Sequence, residues 1–281
     1  MNKTINFLSG LPRSGNTLLA AILNQNPEFH VSPLSPLSSV LYEMDKIKNI
    51  NENCLRTESN KDRIETLMKS TAQSFYKDVN QRIIFDRDKT WGTPYHINII
   101  TEYINPQPKI IFTVRDINDI IASFIALRPS SFVEEYESGS FYMNYYKRFE
   151  DGFAEYLMRP NGQIDNALCS LSSSLNDKFS DFFYIVEYKD LVSDPEKTIN
   201  SIYNFLDIEP YAHDFLNIKK IESDDDDKIG FPEATHFVKD SIKPSCIDAK
   251  NVLSEYTYNK YSDMEFWRLG SKMRQSLSFR F

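Results

Sequence analysis

Residues 10–17, Gly10-Leu11-Pro12-Arg13-Ser14-Gly15-Asn16-Thr17, have the spacing of a phosphate-binding loop, G-x-x-x-x-G-K-[ST]. They follow a short apolar run, residues 5–8, and precede apolar positions at helical spacing, Leu18, Leu19, Ile22 and Leu23. Backbone N–H groups of Ser14, Gly15, Asn16 and Thr17 would point into such a turn, the helix N-terminus would add positive potential, and Thr17 can offer a hydroxyl. A capped tight turn without a ligand has the same spacing, but a guanidinium inside the loop, Arg13, favours an anion. Asn16 stands where the motif has the lysine that reaches the β- and γ-phosphates. That argues against a P-loop kinase or NTPase and for a nucleotide with a shorter 5′ anionic group.

A second cluster points the same way. The run KIIFTV, residues 109–114, ends in Arg115-Asp116, and Ser123 follows eight residues after Arg115. With a helix starting near Asn118, Ser123 can look back toward the strand's carboxyl end, where open α/β sheets bind ligands. An Arg at a strand end and a Ser hydroxyl on the next helix make a compact monophosphate site. The plain alternative is a surface pair of Arg115 with Asp116 or Asp119, worth little. Two anion sites in one sheet could be spanned by one ligand.

This constellation resembles the sulfotransferases that use 3′-phosphoadenosine 5′-phosphosulfate (PAPS), in three segments. GLPRSGNTL (10–18) resembles the 5′-phosphosulfate loop, in the Pro-Arg-Ser-Gly form of tyrosylprotein and bacterial sulfotransferases. VRDINDIIAS (114–123) resembles the 3′-phosphate motif, and EYKDLVSDPEKTINSIYNFL (187–206) the segment whose Tyr contacts adenine. The resemblance implies a P-loop-like α/β fold and sulfuryl transfer from PAPS to a hydroxyl or amine, releasing PAP. It implies that Arg13 contacts the phosphosulfate; that Ser14, Gly15, Asn16 and Thr17 cradle the 5′-phosphate; that Arg115 and Ser123 hold the 3′-phosphate; and that Tyr188 meets adenine. Lys89 sits where the family places a lysine that stabilises the sulfuryl group in transit. Lys239 falls in a basic stretch, with His236 and Lys243, where relatives fold a segment over the nucleotide. The acceptor can be a small molecule, a glycan or a peptide.

The general base does not carry over. Trp91 occupies the position of the cytosolic enzymes' histidine, and residues 30–36 lack the acid of the tyrosylprotein enzymes. A base must still take the acceptor's proton. The candidates are His30, whose unperturbed pKa of about 6.5 suits the task, and Glu43, Asp86 and Asp88. His96 falls in the first turn of a helix and reads as packing or pointing outward. A non-catalytic PAP- or PAPS-binding protein therefore stays open beside the enzyme. No metal-ligand cluster is visible, and none is required.

These residues need elements to hold them. Strand–turn–helix units recur: residues 5–8 then 18–23, 83–85 then a helix opened by Thr93-Pro94, 109–114 then 120–127, and 182–186 then 195–206. That order predicts a central parallel sheet with helices on both faces, in a single domain over residues 1–281. Residues 30–39, rich in Ser and Pro, read as a loop. Residues 129–180 read as helical; Phe132, Tyr136, Phe141, Tyr142, Tyr145 and Tyr146 there suit either an acceptor wall or core.

Composition sets limits. The chain has 281 residues, only 8 of them Gly, with 41% hydrophobic residues and a net charge of −8. Scarce glycine excludes collagen-like and linker-rich readings and singles out Gly10 and Gly15. The acidic balance excludes a broad nucleic-acid face but not a basic cleft. The three cysteines are far apart and show neither metal nor disulfide spacing. With no signal peptide and no apolar run of spanning length, they predict a cytoplasmic protein. The DDDDK run, residues 224–228, reads as a solvated charge run.

Overall fold

The structure, a computed structural model, describes residues 3–50, 57–138, 141–176, 179–219, 241–243 and 247–269. Five strands form one sheet: β1 (Thr4–Gly10), β2 (Phe29–Leu34), β3 (Ile83–Arg87), β4 (Ile110–Val114) and β5 (Phe183–Glu187). Its order is β2-β3-β1-β4-β5, and every neighbouring pair is parallel. The helices are α1 (Asn16–Leu23), α2 (Leu37–Asn49), α3 (Glu58–Phe75), α4 (Pro94–Tyr103), α5 (Ile117–Leu127), α6 (Ser130–Glu137), α7 (Phe141–Tyr145), α8 (Phe149–Met158), α9 (Gln163–Asn176), α10 (Tyr188–Ser193), α11 (Pro195–Leu206), α12 (Ala249–Val252) and α13 (Glu255–Lys260).

The expected parallel sheet with helices on both faces is present, and the strand sequences say why. All five residues of β4 are buried, as an unbroken apolar run should be when both faces are covered. Alternation sorts the side chains. Ile5, Phe7, Ile84 and Phe112 face a large core with α2, α4, α5, α8 and α9. Leu8, Phe85 and Ile111 face a smaller core with α1 and α11. Local signals set helix starts: Thr93 accepts from the backbone N–H of His96 with Pro94 at the first position, and Asp194 caps α11 ahead of Pro195.

One expectation fails. Residues 30–39 are not all loop, because β2 runs through His30, Val31, Ser32 and Pro33. Two features admit a strand with this composition. β2 lies at the sheet edge, so Pro33 can lack a ladder donor. Its register against β3 also shifts between Val31 and Leu34.

The strand order creates the place for a ligand. From β1 the chain moves through β2 to β3 on one side, then crosses to β4 on the other. The loops leaving β1 and β4 therefore diverge from adjacent carboxyl ends, where Gly10 pairs with Thr113. The late segment of the chain closes over this side. Glu265 Oε1 accepts from the Ile117 backbone N–H at 3.1 Å, and Arg268 pairs with Glu187 at 2.7 Å.

Candidate functional site

At the carboxyl end of β1 the chain turns too tightly for side chains at two points. A Cβ on Gly10 would lie 2.1 Å from Thr113 Oγ1, so only glycine lets β1 run this close to β4. Gly15 has a φ of 87° and starts α1 without a side-chain cap. Its missing Cβ also makes room for the Tyr188 ring, whose Cδ2 would lie 2.7 Å away. The first helical bond runs from Leu19 N–H to the Gly15 carbonyl, 2.9 Å. The N–H groups of Asn16, Thr17 and Leu18 are thus the donors that a helix start leaves over.

Between the glycines the loop is braced. Ser14 is fully buried, and its Oγ lies 2.6 Å from the Leu11 carbonyl and 2.6 Å from Thr113 Oγ1. Its hydroxyl thus serves the turn, which leaves its backbone N–H for a ligand. Arg13 holds a left-handed backbone, φ 60°, a strain of about 1–2 kcal/mol for a residue with a Cβ. Asn16, at the position of the motif's lysine, leaves its Oδ1 buried without a donor.

The second cluster joins the first. Arg115 is 7% exposed at the end of β4, and its Nη1 donates to the Arg13 carbonyl at 3.3 Å. Arg13 Nε in turn donates to Ser123 Oγ at 3.3 Å from the buried face of α5. Arg115 also lies over the Tyr188 ring, 4.6 Å from the centroid. Its Nε is a buried donor with no hydrogen-bond partner, since Asp119 Oδ2 is 3.6 Å away. The Arg115–Asp119 ion pair expected as the plain alternative thus forms, but at a length that leaves the buried Nε without a hydrogen bond of its own. Arg13, Ser14, Gly15, Asn16, Thr17, Arg115, Ser123 and Tyr188 are therefore one continuous group. The direct link from Arg13 to Ser123 was not visible in the sequence, where the two belonged to different motifs.

Lys89 reaches the same edge from β3. It opens a 3₁₀ turn, Lys89–Gly92, whose first carbonyl accepts from Ser9 Oγ at 3.0 Å, one residue before Gly10. Lys89 is exposed, and no ion pair holds its ammonium among the described residues. Asp88 anchors this turn by accepting from Thr90 N–H at 2.7 Å. Trp91, in the position of the cytosolic histidine, is fully buried and donates its indole N–H to Asp86 at 2.7 Å.

The candidate bases scatter. His30 pairs in register with Ile84, level with Ile5, five residues short of Gly10. That is about 16 Å along the strand direction, and its ring meets the edge of Tyr76. Glu43 is exposed and paired with Lys46 at 2.9 Å. Asp86 is sealed and accepts from Tyr76, Ser35 and Trp91; burial raises its pKa above the ordinary carboxylate value. Lys239 and His236 lie outside the described residues. Tyr136 is core, edge-on to Phe149 and Phe153, whereas Tyr145 is 68% exposed. Among the described residues, no helix is long and apolar enough to cross a membrane, and no three His, Cys, Asp or Glu side chains group to hold a metal ion.

Comparison with known proteins agrees with this geometry. The sulfotransferase domain of the Synechococcus PCC 7002 olefin synthase superposes with a TM-score of 0.55 at 17% identity, covering 96% of each chain. The sulfotransferase domain from the curacin biosynthetic pathway gives 0.51 at 16%, over 98% of this chain and 95% of the other. Mouse sulfotransferase SULT7A1, solved with PAP, gives 0.52 at 13%, over 99% and 89%. At such identities these likenesses establish the fold. No curated protein matches the sequence significantly. The sulfotransferase family profile matches residues 7–213, which run from β1 past α11 and include the joined group around Arg13 and Arg115, so this chain belongs to the sulfotransferase family.

Proposed function

We propose that the protein transfers a sulfuryl group from PAPS to a hydroxyl or amine acceptor, with the donor lying across the ends of β1 and β4. The observation that carries this reading is the buried Arg115 guanidinium, set in one hydrogen-bonded group with the β1 loop through the Arg13 carbonyl. In this reading the N–H groups of Ser14, Gly15, Asn16 and Thr17 receive the 5′-phosphate. Arg115 and Ser123 hold the 3′-phosphate. Tyr188 offers a ring face to adenine, and Lys239 is a further contact. PAPS supplies a sulfuryl group on a good leaving phosphate. Arg13 and Lys89 stabilise the charge that develops as the sulfur–oxygen bond breaks, a task that positioned cations do well. The retinol dehydratase fold neighbour, solved with retinol and PAP, supports a small-molecule acceptor. The dispersed cysteines support a reducing, cytoplasmic setting, and residues 1–281 act as one domain.

Thermal unfolding with and without nucleotide tests the donor site. PAP at about 100 times its dissociation constant should add about 2.7 kcal/mol of stability. AMP, which lacks the 3′-phosphate, should add much less. Equal stabilisation by the two would remove the role given to Arg115 and Ser123.

A further inference from the structure

The proposed transfer leaves its proton acceptor unnamed. His30 sits far down β2, Glu43 pairs with Lys46, Asp86 is sealed, and Asp88 caps the Lys89 turn. Resting on the sulfotransferase reading, we propose that His96, in the first turn of α4, is the base that takes the acceptor's proton.

His96 follows the Lys89 turn within one helical turn of the chain. The Lys89–Gly92 turn leads through Thr93 directly into α4. Thr93 Oγ1 caps the helix, accepting from the His96 backbone N–H at 3.3 Å, and it lies 2.7 Å from His96 Nδ1. A hydroxyl oxygen has two lone pairs, so it can accept from both groups. With the proton on Nδ1, the free lone pair is on Nε2. The ring is clamped on three sides. Tyr42 of α2 stacks on it at 5.7 Å, while Trp91 and Tyr95 meet it edge-on at 5.9 Å. Trp91 is fixed in turn by its bond to Asp86.

Nε2 is different. It has no protein partner among the described residues, and it is not among their sealed, unpaired polar atoms. His96 thus combines an oriented ring with one nitrogen open to a ligand, the pattern of a positioned base. Burial holds its pKa below the ordinary 6.5, and the Asp88 carboxylate pulls it partly back. Tyr42 and Tyr95 are the other titratable groups facing the ring. At neutral pH the imidazole is therefore uncharged and able to accept.

The step balances. A lone pair on the acceptor oxygen forms the new bond to sulfur. The bond from sulfur to the 5′-phosphate oxygen breaks, and its electron pair stays on that oxygen. The acceptor's proton passes to His96 Nε2, and the imidazolium later yields it to water.

Two measurements on the full chain test the proposal. The first follows transfer from radiolabelled PAPS to phenol, which keeps its proton at neutral pH, beside PAP affinity. His96→Gln should lower transfer by about 10²–10⁴-fold and leave the dissociation constant of PAP within about twofold. The wild-type rate should also fall as pH drops through the His96 pKa, below 6.5. The second needs no acceptor and no variant: the ring resonances of the wild-type protein are titrated with and without PAPS. His96 should titrate at higher pH with PAPS bound, because a sulfuryl group beside it favours the imidazolium, while His30 and His213 stay unmoved as internal references. A His96→Gln protein that transfers at the wild-type rate, or a His96 ring indifferent to PAPS, overturns the assignment and leaves the donor site standing. A wild-type protein that binds no PAP overturns the donor site itself, and this proposal with it.

Discussion

The corner where β1 and β4 end and the edge formed by β2 and β3 are built differently. At the corner, buried groups hold one another: Arg115 the Arg13 carbonyl, Arg13 the Ser123 hydroxyl, Ser14 the Thr113 hydroxyl, and Tyr188 the space over Gly15. At the edge, Lys89 stands in solvent while Asp86, Trp91 and Tyr76 lock the strand from behind. The corner is preorganised for a ligand whose shape does not vary. The edge holds its backbone fixed and leaves side chains for a partner that does vary. In the proposed reading the difference separates donor recognition from acceptor chemistry, and substitutions on either side can break it.

The largest effect is expected at the corner. Arg115→Ala removes a buried charge from a multiply bonded group, and PAP affinity should fall about a thousandfold, near 4 kcal/mol. Affinity for AMP should hardly change, by calorimetry. A similar loss for both nucleotides would mean that the substitution collapses the loop rather than deleting one phosphate contact.

Next comes the lock behind the edge. Asp86→Ala leaves the Tyr76, Ser35 and Trp91 donors without their acceptor. Unfolding by denaturant should show a loss of about 3 kcal/mol. PAP should still bind. If its affinity falls in step with stability, corner and edge are one cooperative unit.

The smallest of the three is at the edge's outer face. Lys89→Ala should reduce transfer about a hundredfold through the lost charge stabilisation. Stability should stay within about 0.5 kcal/mol, as for an exposed substitution. Unchanged turnover would leave Arg13 as the cation acting on the sulfuryl group.

Much of the corner was legible in the sequence because its constraints are local. Gly10 and Gly15 stand out by their spacing within one short loop, KIIFTV by its unbroken apolar run, and Thr93-Pro94 marks a helix start by itself. The edge was less legible because its causes are tertiary. Ser32 and Pro33 have loop propensities, and only the edge position and register shift of β2 admit them to a strand. Likewise, nothing in the order Arg13 to Ser123 announces a contact across 110 positions. It follows from β1 and β4 being neighbours, a fact of topology. The placement of His30 misled for the same reason: a suitable pKa says nothing about height along a strand.

The contact between Glu265 and Ile117 has a consequence for how the enzyme is made. The two residues are 148 positions apart, and Arg268 reaches Glu187 across 81. A ribosome adding about 5–20 residues per second needs roughly 7–30 s to supply the first of these partners after Ile117 has been made. During that interval α1, β4 and α5 can assemble, but the start of α5 lacks its carboxylate. A nascent chain should therefore acquire full nucleotide affinity only once residues 265–268 have been added.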